Sequence, residues 1–204
     1  MLSDLSPQWE RKNEDVLEHL MQVSSEMYKS KQNYDFYKGT KGVNRLLNQV
    51  EIDVLGIAFN NGKVEMYAID VAFHEAWLNY GLIEETIARV IKKCFRTAMC
   101  IFGYFGYTEA NIIFASPKIN PAIANELTFA INDMNQILKQ EKLNFQVRII
   151  ANPDLSELVL SPILSVLNNV ADTSDLVMRS LQLYKLIEGM HSFASPVLQP
   201  LKKP

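Results

Sequence analysis

The sequence predicts an α/β fold: a mixed β-sheet flanked by helices, continued by a C-terminal helical extension. Three observations carry this reading. Asn61-Gly62 separates two apolar runs, IDVLGIAF and VEMYAIDVAF; Asn-Gly between such runs is the strongest short-range hairpin signal, because both turn positions want φ > 0. Residues 111–116 and 144–151 read as strands around a helix that opens with Asn120 as cap and Pro121 at its first position. Strand, helix, strand makes a βαβ unit, whose strands are parallel with a right-handed crossover. Residues 82–102 place Ile83, Ile87, Val90, Ile91, Cys94, Phe95 and Ala98 on one apolar arc, the mark of an amphipathic helix.

The remaining elements follow in order. Residues 13–29 predict a helix with Val16, Leu17, Leu20, Met21 and Val23 as its stripe, capped by Asn13 or Asp15. KSKQNYDFYKGTKGVNR, residues 29–45, mixes basic residues with Tyr34, Phe36 and Tyr37, and its glycines mark loop or short turns. Residues 43–49 fit a first strand or a short helix equally. The helix after Asn120 runs to about Lys142. Residues 154–190 look helical, interrupted at Pro162, with a last helix capped by Asp172-Thr173 whose face is Leu176, Val177, Leu181, Tyr184 and Ile187. The expected organisation is an α/β domain over residues 1–153, a helical extension packed on it over 154–190, and a mobile tail over 191–204.

A chain of 204 residues with 48% hydrophobic content can bury one real core. The net charge of −3 advertises no nucleic acid globally, so any such partner needs a local basic patch. No signal peptide and no membrane span are visible. Cys94 and Cys100 fall on one helix about 9 Å of rise apart, too far to bridge. The expected setting is a reduced cytoplasm. A Gly-rich phosphate loop, a Cys-x-x-Cys pair and a Gly-x-Ser-x-Gly elbow are all missing.

The chemistry concentrates on the hairpin. With Asn61-Gly62 as the turn, opposed residue numbers sum to about 123. Asp53 then lies opposite Asp70, and Glu51 opposite Ala72. Opposed residues share a face, and like charges directly opposite are destabilising. A hard divalent cation such as Mg²⁺ is a reason to keep two carboxylates there. Glu51 projects from the face of Asp53 and can bind a second metal or orient a water. His74 shares the face of Asp70 and can contact phosphate, though a strand-end histidine satisfied by a loop carbonyl explains it as simply.

Glu-x-Asp on one strand, a tight turn, and Asp70-Val71-Ala72 on the next resemble the core of the PD-(D/E)XK nuclease superfamily, with its restriction-endonuclease-like fold. The order helix, hairpin, helix, strand, helix, strand over residues 13–151 is similar too. The resemblance implies a phosphodiesterase acting on DNA ahead of RNA, using Mg²⁺ or Mn²⁺, and a homodimer is one state open to the chain. Asp53 and Asp70 match the two acidic motif positions, and the Val71 carbonyl matches a further metal ligand. Ala72 stands where the family usually carries lysine. The competing class is a nuclease fold that has lost catalysis and serves as a nucleic-acid-binding or assembly module. A third is a plain structural domain.

Geometry on the following helix suggests where the lysine went. Asp70 lies about 13 Å behind the strand end near His74, a distance a helix covers in about nine residues. That brings Lys92 and Lys93 level with Asp70. Lys92 borders the apolar arc and is the first expectation, with Lys93, pointing further outward, in reserve. Lys38, Lys41 and Arg45 in the basic loop are the expected nucleic-acid contacts. A solvated connection is the alternative reading of that loop.

Overall fold

The computed structural model describes residues 13–32, 35–60, 62–74, 76–166, 179–181 and 183–184. Its first unit runs from α1 (Glu14–Gln32) and α2 (Gly42–Leu47) through the hairpin β1 (Val54–Asn60) and β2 (Lys63–Val71). There follow α3 (Ile83–Cys100), β3 (Glu109–Ser116), α4 (Pro121–Gln140) and β4 (Asn144–Ala151). The four strands form one sheet in the order β1-β2-β3-β4. The β1–β2 pair is antiparallel and the β2–β3 and β3–β4 pairs are parallel. The sheet is therefore mixed. Because the order advances in one direction, both right-handed crossovers put α3 and α4 on the same side.

The hairpin register is the one the turn dictates: Asn60 pairs with Lys63 and Val54 with Ile69. Gly62 takes φ 78°, which the tight turn requires; Asn61 lies outside the described residues. Of the two options for residues 43–49 the helix is what forms: α2 runs to Leu47 and buries Val43, Leu46 and Leu47 on one side, and Asn48 and Gln49 make the turn that follows. Asn120 caps α4 by accepting from the Ala122 amide at 2.9 Å. Asn13, with φ 60°, leads into α1, and its carbonyl accepts from the Leu17 amide.

Alternate residues of the strands face the helices. Met66 and Ala68 of β2, Ile112 and Phe114 of β3, and Phe145 and Val147 of β4 join α1, α2, α3 and α4 in one core. Tyr28 of α1 donates its hydroxyl to the Ala130 carbonyl of α4 at 2.6 Å. Its ring stacks on Phe36, which meets Phe95 edge-on. Phe36 and Tyr37 are therefore core residues, a correction to their reading as part of a substrate-gripping loop. The aromatic cluster gains more by burying them than a solvated turn would by showing them. Tyr34 lies outside the described residues.

After Cys100 the helix widens into a turn over Ile101–Phe105, closed by Gly106 in left-handed backbone. The chain's second compact unit begins at Pro153. There, helix α5 (Pro153–Leu155), a wide turn over Ser156–Leu160 and α6 (Ser161–Val166) run on without a gap. The expected interruption at Pro162 is therefore not a break. The wide turn just ahead of it accommodates the missing amide and the bulk of the ring. Leu181 and Tyr184 are helical. The cap at Asp172-Thr173, Leu176, Val177, Ile187 and the tail over 191–204 lie outside the described residues. No described helix is long and apolar enough to cross a membrane.

Candidate active site

The site gathers at the end of β2 where the strand leaves the sheet, the carboxyl end at which α/β proteins place ligands. Asp70 is on the helix-covered face of β2 and only 7% exposed. A carboxylate in that row is costly unless it is paired. Its partner is Lys93 of α3, whose ammonium donates to Oδ1 at 2.8 Å and to Oδ2 at 3.0 Å. The expected helix therefore does deliver a lysine to the acid, but the reserve residue takes the position. Lys92 turns the other way: its ammonium donates to Thr40 Oγ1 at 3.1 Å and lies 5.9 Å from the centre of the Tyr37 ring. Burial lowers the Lys92 pKa, and the neighbouring Arg96 charge lowers it further.

Asp53 sits where regular pairing stops. Its amide donates to the Ile69 carbonyl, one residue short of Asp70, so the ladder loses its two-residue rhythm there. Its Oδ2 accepts from the Val71 amide at 2.6 Å. The side chain thereby ties the mouth of β1 to the end of β2, and its charge still reaches Asp70. Burial pushes the Asp70 carboxyl up from its ordinary value. The Lys93 ammonium opposes that rise, and the Asp53 charge adds to it. Val71 thus meets the site through its amide.

Glu51 is exposed, and its charge is felt at Arg96 and at Tyr80. His74 is half-buried and packs edge-on against the Tyr80 ring at 5.2 Å, with the Arg89 guanidinium 5.5 Å from the centre of the same ring. An aromatic contact, rather than a loop carbonyl, accounts for His74. Lys38, Lys41 and Arg45 are all exposed. The loop of Lys38 and Lys41 touches α3 through Thr40, beside Lys92 rather than at Asp70, and Arg45 lies on α2 rather than on the loop.

Sequence reasoning missed Arg96. It is a half-buried guanidinium that donates to the Gln49 carbonyl at 2.7 Å and whose charge favours ionised Asp70. Its Nε is buried with no acceptor among the described residues. Arg89, Lys93 and Arg96 are four and three residues apart, which puts them on one side of α3. That spacing was a usable signal, but it also fits a solvent-facing stripe. Ser116 was missed as well. By strand register it stands beside Ala72, and its buried Oγ has no partner among the described residues. Beside the acids, a cleft of about 780 Å³ is lined by residues 48–53 with Leu55 and Phe105.

Two carboxylates at one strand mouth suit a magnesium ion that keeps several waters and takes its other ligands from a phosphate. They do not make an all-protein cage: no three His, Cys, Asp or Glu residues among those described come together as a metal-binding group. Comparisons with protein-family models, with curated proteins and with solved structures found no match.

Proposed function

We propose that the chain is a Mg²⁺-dependent phosphodiesterase of the nuclease type, acting on DNA or RNA. The observation that supports it is the meeting of Asp70 and Lys93 beside Asp53 at one end of the sheet. Asp53 and Asp70 would hold the ion, with the Val71 carbonyl as a further ligand and Glu51 as an outer one. When bound, the ion supplies Lewis-acid polarisation of the phosphodiester and a water of lowered pKa. The chain's own residues do the rest. Lys93 leaves part of its hold on Asp70 to orient the attacking water and to offset charge on the phosphate. Arg96, fixed by Gln49, places a second positive charge behind that ammonium. The cleft beside Glu51 and Asp53 receives the strand being cut. Mn²⁺ would substitute for Mg²⁺, since both take oxygen ligands.

One observation favours the non-catalytic alternative: both oxygens of Asp70 are already engaged by Lys93. Thermal unfolding with and without Mg²⁺, run beside cleavage of labelled single- and double-stranded DNA and RNA, separates the readings. A ligand that binds only the folded state must raise the melting temperature. The expected result is a Mg²⁺-dependent rise that Asp70→Asn abolishes, and cleavage that Lys93→Met reduces by about 10²-fold or more. Nucleic-acid binding without cleavage would establish the module reading. Neither ion nor nucleic-acid binding would sink both.

A further inference from the structure

We infer that β1 is a self-association edge, at which a second copy of this chain adds its own β1 antiparallel to the first. The strand is the outer member of the sheet, and no described strand pairs with its free side. Its sequence, VLGIAFN, has no charged residue and no proline over seven positions. Those are the devices that normally keep a sheet edge from pairing. The opposite edge of the same sheet shows the contrast. On β4, Asn135 of α4 donates to the Val147 carbonyl and accepts from the Val147 amide, occupying that edge, and exposed Gln146 and Arg148 flank it.

The face of the hairpin is as unprotected as its edge. The register puts Leu55, Ile57 and Phe59 of β1 on one face with Val64 of β2. They are 43%, 52%, 78% and 51% exposed. Together they show an apolar patch on the order of 450 Å², within the range typical of the largest patch on a monomer and often functional. Antiparallel addition lays the two patches side by side on one continuous face, so the contact is made by the paired backbones and by the flanks of these side chains where they meet their counterparts across the seam. The strand is also self-complementary. Antiparallel pairing about Ile57 sets Ile57 against Ile57 and Leu55 against Phe59, so apolar side chains meet across a two-fold axis and no charge is buried. An unrelated protein strand would need the same uncharged pattern by chance; a second copy has it by identity. The inference does not rest on the proposed catalysis, and the two surfaces meet at Leu55, which also lines the cleft beside Glu51 and Asp53.

Sedimentation equilibrium of the full chain from about 1 to 100 μM tests it, together with oxidative cross-linking of Ile57→Cys. Paired residues on adjacent antiparallel strands have Cα atoms about 4.5–5.5 Å apart, within disulfide reach. The native Cys94 and Cys100 are buried and do not interfere. The expected result is a concentration-dependent dimer, rapid disulfide-linked dimer from Ile57→Cys, and a monomer for Ile57→Lys and for Phe59→Lys with unchanged circular dichroism. A wild-type chain monomeric at every concentration would overturn the inference, as when another segment of the same chain covers the edge. So would a dimer that survives both lysine variants, or an Ile57→Cys variant that forms no cross-link on oxidation.

Discussion

Asp70 and Lys93 hold each other in a place where neither is at ease. Their side chains are 9% and 21% exposed, so the pair is mostly removed from water. For Asp70 the outcome is a carboxyl pushed above its ordinary value, chiefly by burial, against the pull of Lys93. A carboxyl whose folded-state value is raised contributes stability that is fully present below the unfolded value. That contribution is lost as pH rises through the folded value. Asp70→Asn has no proton to lose, so its melting temperature relative to wild type should increase between pH 4 and pH 8. A constant difference would mean that Asp70 titrates normally. Lys93→Met leaves the carboxylate buried without its cation. It should cost about 2 kcal/mol at pH 8, below the figure for a fully buried pair, and less at pH 4 where Asp70 is protonated.

Among the elements, the two sheet edges are managed differently, and the β4 edge can be tested directly. Asn135→Leu removes both partners of the Val147 backbone. A loss of about 2 kcal/mol in urea unfolding is expected, and no loss would show that water replaces the side chain. The hairpin register was legible because Asn61-Gly62 names the turn and the period of two does the rest. The βαβ unit was legible from Asn120-Pro121 and the flanking runs. The choice between Lys92 and Lys93 was not. They are neighbours in sequence but stand about 100° apart around the helix, and the rotation of α3 about its own axis decides which one faces the strand. That rotation is set by how Ile91, Cys94, Phe95 and Ala98 seat in the core, which no local pattern records. The fate of Phe36 and Tyr37 was hidden for the same reason: the partners of Phe36 are Tyr28 and Phe95, those of Tyr37 are Ser24 and Lys92, and each set spans two different helices.

Over the whole molecule the charge balance is −3, so any attraction for a polyanion has to be local. The cations of α3 supply such a locality beside the acids. If the chain binds nucleic acid there, affinity falls steeply with salt. Arg89→Ala should shallow the slope of log K against log salt by about 1. Replacing Lys38 and Lys41 by Glu asks whether the outer loop shares that track: binding weakens and the slope flattens if it does. An unchanged slope in both variants would remove the basic surface from the function.

The origin of the paired groups has a mechanical side. Asp70 belongs to the sheet and Lys93 to a helix laid over it, so their separation is a measure of how tightly those two layers are pressed together. Ala68, two residues before Asp70 on the same helix-covered face of β2, is fully buried and small. A bulkier side chain there would press on the helix layer and lengthen the ion pair without touching a polar atom. The acid–lysine distance thus serves as a strain gauge for the core, and a substitution that forces the two layers apart should register there as a longer pair.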